Sequence, residues 1–208
     1  MIIKNRGAVP DIDKTAFVAP NATLVGHVRI GRHSRVMYGA TLDSEGSRIE
    51  VGEYSIICEN AVLRATAIAK DENPVFVGDH VFISPHATLL GCKIERASYI
   101  ATGATILHGA IVQEGAVVAV GGLVHANAVI PSGFLVPPYM IAIGSPVRLY
   151  SPNDKELPQA IKANEFSKRA FGVGTGWGDL IEKYTRVTEA RSNEFKSHFN
   201  DEIVERDP

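Results

Sequence analysis

Aliphatic residues recur along this chain at every sixth position. The series runs Ile12, Val18, Leu24, Ile30, Val36, Leu42, resumes as Val51, Ile57, Leu63 and again as Val77, Ile83, Leu89, then continues unbroken from Ile94 to Val136. Four residues after nearly every one stands a small residue, such as Ala16, Ala22, Ser34, Ala40, Ala104, Ala110 and Ala128. Neither the 3.6-residue period of a helix nor the two-residue period of a strand accounts for this pattern. Six residues make a short strand plus a turn, and three such units close one triangular coil. The large aliphatic fills the coil near a corner and the small residue lets the next corner close. Coils stacked about 4.8 Å apart set each aliphatic on its equivalent one coil later. The hexads number twenty, almost seven coils. They predict an all-β solenoid, a parallel β-helix of hexapeptide repeats, over residues 1–150.

The repeat is broken in three places. Three residues are extra between Leu42 and Val51, eight are extra between Leu63 and Val77, and one is missing between Leu89 and Ile94. Interruptions of a solenoid map to loops on one face, so these three predict a shared and functional edge. Beyond Val136 the pattern changes to a tail, residues 151–208. Residues 153–171 read as one amphipathic helix with Leu157, Ile161 and Phe166 along a face and Asn153 or Asp154 as its cap. A glycine-rich loop, GVGTGWGD, follows; it lacks the Lys-Ser/Thr of a phosphate-binding loop. Residues 179–197 read as a charged helix whose apolar positions Leu180, Ile181, Tyr184 and Val187 suit packing on the solenoid or on a neighbouring subunit. The final DEIVERDP is expected to fray.

Composition narrows the function classes. A formal charge of −2 gives no basic excess for nucleic acid. No run approaches the ~20 apolar residues of a membrane span, and the first residues have no apolar stretch of signal-peptide length. Two cysteines, Cys58 and Cys92, are not a disulfide framework. A cytoplasmic protein is the expectation.

The segments VGHVRIG, GATLDSEGSRIEVG, VGDHVFISPHATLLGCKI and AIGSPVR, with the gap pattern, resemble the γ-class carbonic anhydrase-like family over about residues 10–150. The resemblance implies a left-handed coil and a homotrimer. It also implies a zinc ion between subunits, held by two histidines of one chain and one of the next. Three histidines leave one position for water, whose pKa then falls toward ~7. Carried over residue by residue, those histidine positions are Arg64, Pro85 and Leu90. Arginine cannot give up its proton to a metal, and proline and leucine have no side-chain ligand atom. The expectation is therefore no metal and no zinc cofactor. His27, His33, His80, His86, His108 and His125, the histidines of the repeat region, fall in slots that make no convincing metal trio.

A fixed cation, Arg64, thus stands where a ligand stood, with Asp43, Glu45 and Glu59 in neighbouring coils. Two readings stay open. In one, Arg64, with Arg48, compensates the carboxylates in an intersubunit ion-pair network. In the other, Arg64 orients a small anionic or carbonyl substrate, Glu45 or Glu59 is the general base, and His86 joins from the partner side. Cys58 could serve as a nucleophile but has no assignable histidine. The competing class is an enzyme on CoA thioesters or a hexapeptide acyltransferase, with CoA as cofactor and His86 or His108 as base.

Overall fold

The computed structural model describes residues 1–68, 72–164, 166–174 and 178–205. The chain winds as a parallel β-solenoid of about eight coils, its strands stacked in one ten-stranded and two seven-stranded sheets. The every-sixth aliphatics sort into three columns. In the ten-stranded sheet the register aligns Leu24, Leu42, Leu63, Leu89, Ile106 and Val124. In the first seven-stranded sheet it runs from Ile12 to Ile130, and in the second from Val18 to Val136. Leu24, Leu42, Leu63 and Leu89 are completely buried, as are the small partners Ala22, Ala40, Ala61 and Ala87 that let the corners close. Each column places like on like, so no coil leaves a void for the next to fill.

The solenoid begins one strand earlier than the repeat suggests. Ile2–Lys4 pairs in parallel with Thr23–Val25. All three breaks of the hexad lie at one corner, where the chain passes from the ten-stranded sheet into the first seven-stranded sheet. They follow strands Thr41–Asp43, Val62–Arg64 and Thr88–Leu90. The shortened corner needs Gly91: its φ is +48°, and an added Cβ would lie 2.5 Å from the Cβ of Asn73.

The tail departs from expectation in three respects. The stretch 153–171 forms two helices, α1 (Leu157–Ala163) and α2 (Phe166–Phe171). α1 opens with Glu156 at the cap and Pro158 in its first turn, and Asp154 accepts from the Glu156 N–H instead of capping directly. It ends at Asn164, whose Nδ2 donates to the Ala126 carbonyl and ties the turn to the solenoid. The charged helix, α3 (Leu180–Phe195), is capped by Asp179, which accepts from the Glu182 N–H. It faces the solenoid with Lys183 and Val187, while Leu180, Ile181 and Tyr184 stand exposed. The strip beneath it carries the Glu45 carboxylate, which calls for a cation on the inner face of the helix. Finally, the terminus does not fray where it is described: Glu202–Val204 pairs antiparallel with Ile2–Lys4, closing that edge of the sheet. Part of the glycine-rich loop (175–177) and the last three residues (206–208) lie outside the described residues.

Candidate functional site

At the interrupted corner, Asp43, Arg64 and Leu90 end adjacent strands and are aligned in register. The three-residue insertion after Asp43 is folded by local polar contacts. Asp43 Oδ1 accepts from the Glu45 N–H at 3.0 Å, Ser44 Oγ accepts from the His27 N–H at 2.8 Å, and Glu45 takes a left-handed φ of +45°. This turn presents a carboxylate whose side chain is only 1% exposed. A buried charge needs a partner, and the tail supplies one. Arg191 of α3 donates from Nη1 and Nη2 to the two Glu45 oxygens at 2.9 and 2.7 Å, a bidentate fork. Arg64 Nε lies 3.3 Å from Glu45 Oε1, and its Nη2 is 3.5 Å from Asp43 Oδ2. Both guanidiniums lie over the Phe195 ring, Arg191 at 4.4 Å and Arg64 at 5.5 Å from its centroid.

The network continues past the helix. His198 Nδ1 contacts Asp201 Oδ2 at 2.9 Å and its Nε2 reaches Asp43 Oδ2 at 3.8 Å. Asn5 donates to Asp201 at 2.7 Å, and Arg6 pairs with Glu194 at 2.8 Å. The end of the tail is thereby stitched to both the insertion and the first strand.

The four residues singled out from sequence fall into two separate pairs. Glu45 and Arg64 meet at this corner. Glu59 and His86 stack at the corner that enters the ten-stranded sheet, the His86 N–H donating to the Glu59 carbonyl at 3.0 Å. His86 is exposed there, with Pro85 beside it. Arg48 belongs to neither pair: it pairs with Glu50 and lies over Phe76. Cys58 is buried, and burial, then the charge of Glu59, pushes its thiol up, away from the thiolate that a nucleophile requires. Glu45 has both oxygens occupied by guanidinium donors, which leaves little capacity to take a substrate proton in this arrangement.

The positions that the resemblance assigns to zinc are likewise divided. Arg64 and Leu90 are neighbours, whereas Pro85 lies at the other corner. A guanidinium, an isobutyl group and a pyrrolidine ring do not fit a zinc ion. Among the described residues no three His, Cys, Asp or Glu side chains converge elsewhere to replace them. His33 and His80 instead sandwich Tyr54 in a corner stack, with centroids 4.7 and 5.3 Å from it.

Sequence reasoning missed Arg191, His198 and Asp201, and it missed a second grouping further along the edge. His108 and His125, which occupy unlike slots in the repeat, both lie under Phe166, at 5.7 and 6.0 Å between centroids. Phe171 packs on His108 at 6.2 Å. Burial holds the His125 imidazole below its ordinary pKa, and the Asn164 amide partly offsets this.

No family model matches the chain. It is 44% identical over 98 residues to γ carbonic anhydrase 3, mitochondrial, of Arabidopsis thaliana, covering 46% of this chain and 38% of that one. It is 34% identical over 95 residues to a probable carbonic anhydrase of Methanocaldococcus jannaschii, covering 46% and 57%. The matched segment therefore spans less than two thirds of these relatives. A solved Bacillus cereus protein named as a presumed acetyltransferase shares the fold, with a TM-score of 0.56 at 20% identity over 93% of this chain and 96% of that one. The named homologues and the solenoid together support a γ-carbonic anhydrase-like hexapeptide-repeat family.

Proposed function

We propose that this chain is a metal-free, homotrimeric relative of the γ carbonic anhydrases, in which a structural charge centre replaces the zinc site. The observation that carries the reading is the seating of Glu45. Two guanidiniums, Arg64 and the tail's own Arg191, bind it at the register position where the resemblance puts a zinc-ligand pair. A fixed cation thus does the electrostatic work of neutralising the carboxylates, and it offers no exchangeable water to activate. The cation comes from the same chain, so the centre holds the tail shut over the edge. The substrate-binding alternative is less well supported, because both Glu45 oxygens accept from Arg191 and Arg64 lies within ion-pair distance of Glu45 and Asp43.

The place of work we take to be the cytoplasm, a reading supported by two buried free thiols. No helix among the described residues is long and apolar enough to cross a membrane.

The test is metal analysis of protein produced with added zinc, combined with a CO2 hydration assay and its mass in solution. The expected result is a three-chain particle with far less than one zinc per chain and hydration no faster than buffer. One zinc per chain surviving dialysis, or metal-dependent hydration, overturns the proposal. A thermal shift with CoA or acetyl-CoA addresses the competing acyltransferase reading; no shift is expected.

A further inference from the structure

The two ends of the ten-stranded sheet are closed in unlike ways. At the far end Arg148–Tyr150 pairs antiparallel with Ile141–Ile143. Residues 144–147 are the whole connection between them, and Tyr150 is buried in one cluster with Ile143 and Leu157. That cap is held by a short turn and by a core of its own. At the near end Glu202–Val204 pairs antiparallel with Ile2–Lys4, but it arrives at the end of the long tail. Its middle side chain, Ile203, is 72% exposed. The ion pair of Glu202 with Lys4, at 3.0 Å, is open to water and contributes little. Of this strand's side chains, Val204 alone packs against the core. Val204 also borders a cavity of about 240 Å³, whose other walls are Met1, Ile2, Val18, Ala19 and Pro20. The cavity is apolar space beyond the reach of the valine.

We propose that the outer edge of Ile2–Lys4, with this cavity, is a docking groove for an extended peptide of a partner protein, and that Glu202–Val204 is its tethered competitor. A strand edge is a template for another extended chain: main-chain hydrogen bonds give the pairing and alternate side chains give the selectivity. The segment seated there shows what the groove selects. Along an antiparallel partner it asks for an acid opposite Lys4, then any residue at the solvent-facing place of Ile203, then an apolar residue over the cavity. The remaining space favours a side chain longer than valine. The partner peptide therefore carries an acid, any residue, and then leucine, methionine or phenylalanine. It gains over the tail by filling the cavity, whereas the tail gains only by being tethered. The tail yields because its other holds in this region are a few polar contacts, Arg191 on Glu45 and Asn5 on Asp201. Loosening the Arg191 fork frees the segment that carries Glu202–Val204, so the groove and the charge centre are coupled. The groove itself requires neither the homotrimer nor the loss of zinc.

The test is fluorescence anisotropy of a labelled, end-blocked synthetic peptide of residues 200–205 carrying Val204→Leu, titrated with full-length chains whose fold is confirmed by circular dichroism. The wild type is expected to bind it weakly, because the tail occupies the groove. Arg191→Ala, which loosens the tail from a distance, is expected to bind roughly tenfold tighter, in proportion to the open fraction. Val204→Asp in the chain weakens the competitor directly and is expected to shift affinity the same way. Lys4→Glu is expected to prefer, by roughly severalfold, a peptide that also carries Glu202→Lys, the reverse of the wild-type preference. No binding to the wild type or to either loosened chain overturns the proposal, and so does equal affinity for all three, since the peptide then competes with nothing. A mass that rises with concentration in the loosened chains, without uptake of peptide, also overturns it and assigns the edge to tails exchanged between copies.

Discussion

The body of the solenoid and its tail are held by different means. In the body, every inner coil buries several aliphatics completely, and each contact is repeated above and below. In the described part of the tail, buried apolar side chains come down to Leu157, Ala170 and Val187, while polar anchors do the rest: Arg191 on Glu45, Asn164 on Ala126, Asp201 on Asn5. Stability spread over a repeating core is lost only all at once, whereas stability hung on a few anchors is lost locally. The tail is therefore expected to open at a lower free energy than the body.

The largest effect should come from the body. Leu63 is completely buried between Leu42 and Leu89, and Leu63→Ala is expected to lower unfolding stability by about 3–5 kcal/mol. Chemical denaturation should show the body transition moved to lower denaturant, with the tail lost with it or before it. A tail that outlasts the body would mean that the two regions are not divided as described.

Next comes the shared anchor. Glu45→Ala leaves two guanidiniums facing each other without their carboxylate. Breaking a buried pair from one side costs several kcal/mol, and discounting for the partial exposure of Arg64 gives about 2–3 kcal/mol. The loss should appear as faster hydrogen exchange over residues 180–204, with the solenoid still protected. Slower still in the ranking are the cations. Arg191→Ala removes a bidentate fork whose donor is 15% exposed, Arg64→Leu a longer contact whose donor is 38% exposed. The first is expected to weaken tail protection by about 1–2 kcal/mol and the second by less than about 1 kcal/mol. A reversed order would show that Arg64, not the tail, is the principal counter-charge and would revive the pocket reading.

The same division explains what could be read from the residues alone. The three core columns and the common corner of the three breaks follow from counting, because the hexad is local and each break directly follows a strand of the same sheet. The partner of Glu45 is 146 residues away, on a helix whose amphipathic pattern points the wrong way for a solenoid-facing surface. There the buried carboxylate overrides the apolar moment, and nothing in the helix by itself signals it. Likewise Ile2–Lys4 has no hexad register of its own and gains its place from Thr23–Val25 on one side and Glu202–Val204 on the other. The histidine positions were legible as replaced. That Glu59 and His86 would part from Glu45 and Arg64 needed the corners to be located.

The smallest expected effect concerns the lower anchor, where α2 covers His125. Its imidazole is held below the ordinary pKa by burial, with the Asn164 amide as a partial offset and Phe166, which also meets His108, as its ring neighbour. The open state, in which the ring meets water, binds a proton more readily than the closed state. Stability is then unaffected by pH above the ordinary imidazole value of about 6.5, and it declines as pH falls from there toward the lower value of the closed state. Exchange protection of the α2 amides should therefore weaken between neutral and mildly acidic pH. In His125→Gln that decline should be reduced while protection over α3, held by Arg191 and Glu45, follows the wild type. An identical pH response in the variant would remove His125 from the account and leave the pH dependence of α2 to other groups.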